Sequence, residues 1–140
     1  MGFLQKKVPL STLLKLQLFY CLLGVGYNVV SYLLVISIGR RLSITAPFTG
    51  GLFMAFYGLC LIIGYKGLHK TYRVLMLVFV VVIGYNGFIK HFILYARQPE
   101  VYFSFLAWLA AVGNNFLGLL LNLIAVAGRF ESDKAEERFT

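Results

Sequence analysis

Few side chains in this sequence can make or break a covalent bond, and their placement removes most chemistry at the outset. The acidic residues are five, Glu100, Glu131, Asp133, Glu136 and Glu137, and all lie outside the long apolar stretches. Many small proton-coupled antiporters need a carboxylate within the membrane to exchange a proton for substrate, and this chain has none there. Paired-carboxylate hydrolysis, acid/base dyads and metal sites with acidic ligands lack their parts for the same reason. His69 and His91 would stand about 33 Å apart on one continuous helix, too far to hold one ion or one haem. Cys21 and Cys60 sit in apolar runs without a C-x-x-C spacing, which suits buried small hydrophobes rather than a redox centre or zinc site. No catalytic residue, metal or cofactor is expected, and the chain reads as a non-enzyme.

What is left is polar rather than reactive. Gly26-Tyr27-Asn28 returns as Gly84-Tyr85-Asn86, and Gly113-Asn114-Asn115 is a third variant. Each sits near the middle of an apolar segment, where a glycine lets neighbouring helices come close. On helical spacing Asn28 and Ser31 share one face, Asn86 and Lys90 another, and Asn115, Gly118 and Asn122 a third. Two roles fit such stripes. As a lock, the amides hydrogen-bond between helices and fix which faces meet, at about 0.6 kcal/mol each on average. As a lining, Asn28, Ser31, Asn86, Lys90, His91, Asn114, Asn115 and Asn122 converge on a pocket or narrow pore. The lock is the first expectation and the lining the second.

Lys90 is the strongest single candidate for function. A charge at the bilayer centre costs about 2.5–3.5 kcal/mol on insertion scales, so Lys90 has two solutions. Its stem reaches out to the headgroups, or it faces a wet cavity and meets an anionic headgroup or substrate. His91 reads as an interfacial or packed polar residue. Gly51, Ala55 and Gly58 fall near one side of the second segment as a close-packing seam, with Gly26, Gly84, Gly87, Gly113 and Gly118 as the close-approach positions elsewhere. Superposing the two Gly-Tyr-Asn tripeptides lays the first helix pair on the second, as a parallel duplication would, but the match is poor beyond them.

The elements that must carry these residues follow from composition. Of 140 residues 60% are hydrophobic and 13% charged, more apolar surface than a soluble domain of this size can hide. The expected fold is all-α: an integral membrane bundle of four transmembrane helices, about 16–38, 48–65, 74–96 and 101–127, joined by short loops. The first of these spans about 34 Å, enough to cross the hydrocarbon core with some tilt. Residues 1–15 form an interfacial lead-in, a retained anchor in which Pro9 with Ser11 or Thr12 starts and caps the first helix. Pro47 suits the first turn of the second helix, and Pro99 breaks the third. Tyr102, Phe103, Phe105 and Trp108 form an aromatic group of the kind that gathers at headgroup level. Residues 128–140 are a charged, exposed tail.

The net charge of +8 is spread in small groups at the ends of apolar segments, with no continuous stripe or nucleic-acid motif. Its partner is an anionic lipid surface, not nucleic acid. Two functions remain. The first is a non-enzymatic subunit or accessory protein packing against other membrane helices. The alternative is a small oligomeric transporter or channel with a path lined by Asn28, Asn86, Lys90 and Asn115. A plasma or bacterial inner membrane is the expected location.

With four spans, the N-terminus, the 66–73 turn and the tail share one side, carrying Lys6, Lys7, Lys15, Lys66, Lys70, Arg73, Arg129, Lys134 and Arg138. Arg40, Arg41, Arg97 and Lys90 belong to the other side, so both termini are expected in the cytoplasm. A reporter active only in the cytoplasm and fused after Thr140 should be active; activity of a reporter that works only in the periplasm or lumen would refute this orientation.

Overall fold

Apolar runs of this length can satisfy their backbone polar groups only within themselves once water is gone, and helices are the result. The computed structural model describes residues 7–131. Its spans are α1 (Leu10–Ile38), α2 (Pro47–Tyr65), a third made of α3 (His69–Val82), a wide π-helical stretch (Ile83–Ile89) and α4 (Lys90–Arg97), and a fourth, α5 (Phe105–Val126). These four are long and apolar enough to cross a membrane. Lys6 and the rest of the lead-in before Lys7, and the tail with Asp133, Lys134, Glu136, Glu137 and Arg138, lie outside the described residues.

The span boundaries differ from expectation at three places, each for a local reason. α1 begins at Leu10 rather than residue 16, with Pro9 at its N-cap and no side-chain cap from Ser11 or Thr12. Leu10, Leu13, Gln17, Tyr20 and Gly24 form one buried stripe at helical spacing, so the segment read as a lead-in buries apolar surface as helix. The third span starts at His69 rather than residue 74, because Tyr72 is buried in the core and Arg73 serves the end of α5. Arg73 Nε and NH2 donate to the Val126 carbonyl at 3.0 and 2.8 Å, a cation at a helix C-terminus. α5 starts at Phe105 rather than residue 101; Ser104 is its N-cap, its hydroxyl accepting the Ala107 N–H at 3.1 Å.

Short connections are tied at both ends of the bundle. Gly39 closes α1 in the left-handed conformation at φ 71°, with its N–H on the Val35 carbonyl at 3.0 Å. Beyond it, the Leu42 N–H donates to Ser31 Oγ at 3.0 Å and the Leu42 carbonyl accepts from the Phe103 N–H at 3.1 Å. Arg40 lies over the Phe103 ring, 5.3 Å from its centroid. At the opposite end β1 (Val8–Pro9) pairs in parallel with β2 (Phe130–Glu131), so the two ends of the described chain meet.

The outer surface is apolar and the interior partly polar. Leu22, Ile36, Phe48, Leu59 and Val81 are exposed, whereas Gln17, Ser31, His91 and Asn122 are buried. In the half nearest the chain ends one hydrogen-bonded cluster joins all four spans. Gln17 Nε2 donates to Asn122 Oδ1 at 2.9 Å, the Tyr57 hydroxyl donates to the same oxygen at 2.7 Å, and the Tyr72 hydroxyl donates to Gln17 Oε1. Around it the Tyr57 ring packs edge-on against Tyr20 at 5.2 Å and Phe79 at 4.8 Å.

Close approach falls to Gly58, Gly87 and Gly118, as expected, and also to Gly24 and Gly64. Gly118 lies under the Tyr20 ring, Gly24 under Met54 and Gly64 against Tyr72 and Leu14, while Gly58 faces Cys21 Sγ. Nothing stands within 4 Å of a side chain built at Gly26, Gly51 or Gly113, and Ala55 is exposed. The seam on α2 is therefore rotated from Gly51–Ala55 toward Gly50, Met54, Tyr57, Cys60, Leu61 and Gly64, the residues it buries. Gly118→Ala should place a methyl inside the van der Waals envelope of the fully buried Tyr20 ring and cost about 1–3 kcal/mol. Gly113→Ala, in open space, should be neutral or stabilising by up to about 1 kcal/mol. Unfolding of both variants in mixed detergent checks the pair, and equal midpoints would contradict the packing.

Candidate functional site

The tripeptide Gly84-Tyr85-Asn86 lies in the wide stretch, closed by i→i+5 rather than i→i+4 hydrogen bonds, as in Lys90 N–H to the Tyr85 carbonyl. Two glycines, Gly84 and Gly87, weaken the preference for a regular helix here. From α5 Asn115 then supplies a tie: its Nδ2 donates to the Gly87 carbonyl at 2.8 Å. A side chain at Gly87 would come within 2.7 Å of Asn115 Cγ, so the glycine is what admits the amide.

Each wide turn holds one residue more than an α-turn, which changes what lies below Asn86. Regular spacing places Lys90 there. In the structure Asn86 and His91, five apart, line one cavity, and Lys90 is exposed and outside its lining. Lys90 as part of a polar path is thus corrected by the extra residue of the wide turn.

The cavity has a volume of about 230 Å³ and draws on every span. α1 contributes Gly24, Tyr27 and Asn28; the following loop Ser43 and Thr45; α2 Thr49, Gly50, Phe53 and Met54. The third span contributes Val82, Ile83, Asn86, Gly87 and His91, and α5 Ala111, Asn114 and Asn115. Asn28, Asn86, His91, Asn114 and Asn115 are thereby brought together as a lining. Two other expected lining residues go elsewhere. Ser31 caps the loop through Leu42, and Asn122 is the acceptor of the four-span cluster. Lock and lining are both present: Asn122 locks one half of the bundle, and in the other Asn115 both lines the cavity and ties α5 to the third span.

The amides are oriented by what they touch. Asn28 Nδ2 donates to the Gly24 carbonyl of its own helix at 2.8 Å, and its Oδ1 end lies against Gly50. Since a main-chain carbonyl can only accept, these bonds fix which end of each amide is the nitrogen; each uses one of the two Nδ2 N–H donors and leaves the second N–H and the oxygen. Asn114 Oδ1 is buried with no hydrogen-bond partner among the described residues. The cavity wall therefore offers both donors and acceptors from amides and hydroxyls, and it includes no Asp, Glu, Lys or Arg.

His91 is held by an aromatic corner. Its Nδ1 lies 3.0 Å from the Tyr102 hydroxyl, and its carbonyl accepts from Trp108 Nε1 at 3.2 Å. Trp108 in turn stacks on Tyr95 at 4.3 Å. Burial, with a smaller contribution from the Tyr27 phenol, pushes the Tyr102 phenol up to about 12, so that hydroxyl stays protonated at neutral pH. Tyr27 reaches across to α5, its hydroxyl donating to the Ala107 carbonyl at 2.9 Å. Tyr85, its counterpart in the repeated tripeptide, is exposed. The two tripeptides present their asparagines to one cavity and their tyrosines to different surroundings.

Gln17 is the polar residue that spacing alone overlooked. The signal was its place in the Leu10, Leu13, Gln17, Tyr20, Gly24 progression, hidden because the helix was started at residue 16. His69 stands on the end nearest the chain termini, its ring against Phe130 at 5.5 Å and away from the cavity. Among the described residues no cluster of His, Cys, Asp and Glu could hold a metal ion.

Asn115→Ala should free the Gly87 carbonyl and loosen the wide turn by about the worth of one hydrogen bond, roughly 0.5–1.5 kcal/mol. Hydrogen exchange should then speed up several-fold at amides 87–92 and stay unchanged in the first three turns of α1; unchanged exchange at 87–92 would show that the turn holds without this tie. Set against family models, curated proteins and solved structures, the chain matches none.

Proposed function

We propose that this chain is a small membrane carrier that binds an uncharged, hydrogen-bonding molecule in the amide-lined cavity. The observation that carries the reading is convergence: polar side chains from four spans meet at one cavity, and one of them, Asn114, has a buried Oδ1 with no donor among the described residues. A buried acceptor left unpaired costs about 1–3 kcal/mol, which an N–H or O–H of a ligand would recover. The absence of charged side chains from the wall favours an uncharged ligand, because a desolvated charge needs a partner.

A carrier fits better than an open channel. A channel needs a continuous polar path, and the Gln17, Tyr57, Tyr72 and Asn122 cluster with the rings of Tyr20 and Phe79 fills the other half of the bundle. In this reading the chain ends face the cytoplasm of a plasma or bacterial inner membrane, following the distribution of basic residues.

One observation favours a second reading, an accessory subunit. Gly26 and Gly113 are exposed with open space beside them, positions where the backbone of a partner helix could approach. Proteoliposomes separate the two. A carrier should speed the transbilayer movement of at least one of glycerol, urea and 1-monooleoylglycerol over protein-free vesicles, and Thr49→Trp at the cavity mouth should lower that rate several-fold. Co-purification with a larger membrane protein in fixed ratio, with no movement of any of these, would establish the accessory reading instead.

A further inference from the structure

Where the cavity opens decides what can reach it. α2 packs on the third span toward the chain ends, where the Tyr57 and Phe79 rings stand 4.8 Å apart and Gly64 lies against Tyr72. Beyond Phe53, whose ring meets Phe79 at 5.5 Å, α2 makes no substantial packing contact with the wide stretch. Thr49 on one side of this gap and Asn86 on the other are exposed, and both line the cavity. The outer surface of the same two spans is apolar, with Leu52, Phe56, Val81 and Ile89 exposed. Over the loop end Ser43 is buried, and Leu42 is pinned to Ser31 and Phe103. Thr49 and Asn86 thus mark an opening in the side of the bundle, between α2 and the third span.

The wall specifies the polar part of the ligand. Asn28 and Asn115 keep their oxygens and one N–H each, Asn114 Oδ1 has no partner among the described residues, and Thr45 and Thr49 add hydroxyls, so the cavity suits a group that both donates and accepts. A cationic donor is disfavoured: the wall holds no carboxylate, and the chain carries a net charge of +8. Hydroxyl groups meet the requirement without a charge. Size limits the rest. At about 230 Å³ the cavity is smaller than the roughly 300–1,000 Å³ of sites that enclose a whole drug-sized ligand. It holds a head, and anything longer must leave through the slot.

We infer that the cavity takes the hydroxylated head of a neutral amphiphile of the monoacylglycerol or long-chain alcohol type, whose apolar chain lies in the slot between α2 and the third span. This rests on the cavity being a binding site, as the carrier reading holds, and adds the ligand class and its route. The head gives O–H donors to the asparagine oxygens, and the chain stays in a medium as apolar as the one it left. Entry from the bilayer therefore needs no aqueous vestibule.

Photolabelling of the full chain in phosphatidylcholine nanodiscs tests this, with a monoacylglycerol bearing a diazirine in its acyl chain as the probe. Adducts are expected on α2 and the wide stretch, displaced by 1-monooleoylglycerol and not by methyl oleate, which has the chain without the donors. Thr49→Trp, at an exposed position that leaves the core untouched, should abolish these adducts, and Asn114→Leu should weaken the displacement several-fold. Equal displacement by methyl oleate, or adducts indifferent to Thr49→Trp, would overturn the inference and leave only a lipid annulus. Displacement by glycerol alone, with glycerol also moved across proteoliposomes, would overturn it while the carrier reading stands. If neither glycerol nor 1-monooleoylglycerol displaces the probe and no solute moves, both fail.

Discussion

Gln17 and Asn122 share a hydrogen bond of 2.9 Å in one half of the bundle, and the arrangement of the four spans depends on it. The four spans are long and apolar enough to cross a membrane, and between helices in lipid burying a leucine gains little, because lipid tails are as apolar as a protein interior. Polar side chains discriminate. An amide turned outward has nothing to bond to, so each one that pairs inward fixes the rotation of its helix. Gln17 fixes α1, Asn122 fixes α5, and the Tyr57 and Tyr72 hydroxyls bring α2 and α3 to the same point. Once α1 is turned this way, its helical repeat carries Leu13, Tyr20 and Gly24 inward as well.

The two halves of the bundle solve different problems with the same kind of residue. Near the chain ends the Gln17 amide is bonded at both ends and Asn122 Oδ1 accepts twice, and aromatic edges wall the cluster, which produces a closed core. Toward the loop after α1, Asn28 and Asn115 each donate one bond to a main-chain carbonyl, and the rest of their hydrogen-bonding capacity is left beside a cavity. The wide stretch makes the difference. It parts the third span from α2 and puts His91 where a regular helix would have put Lys90. Lys90 is thereby free to lie outside, where its long stem can carry the charge toward water.

Small residues follow the same division. Gly118 and Gly24 let Tyr20 and Met54 seat deeply in the closed half, whereas Gly50 and Gly87 give room to the side chains of Asn28 and Asn115 beside the cavity. A glycine one or two positions along the helix, Gly51 beside Gly50 or Gly26 near Gly24, has nothing within 4 Å of where its side chain would stand. A helical face is about 100° away from its sequence neighbour, so adjacent glycines with the same conformational freedom have unrelated roles.

The sequence by itself determined the helical class, the four long apolar segments, the absence of acidic side chains within them and the mid-span placement of the asparagines. Length, composition and residue type carry that information, and no long-range contact is needed to read it. Convergence of Asn28, Asn86, Asn114 and Asn115 was open in the sequence as a lining or a lock, because an amide serves both and only its partners distinguish them. Tertiary structure alone decided that Asn122 locks while Asn115 both lines and ties, that Gln17 belongs to the lock, and that Ser31 holds a loop. It also decided the wide stretch at residues 83–89. Gly84 and Gly87 permit that turn locally, but the Asn115 amide that ties the Gly87 carbonyl comes from another span. One extra residue in a turn re-aims everything after it, and for this reason the side chain below Asn86 is His91 and not Lys90.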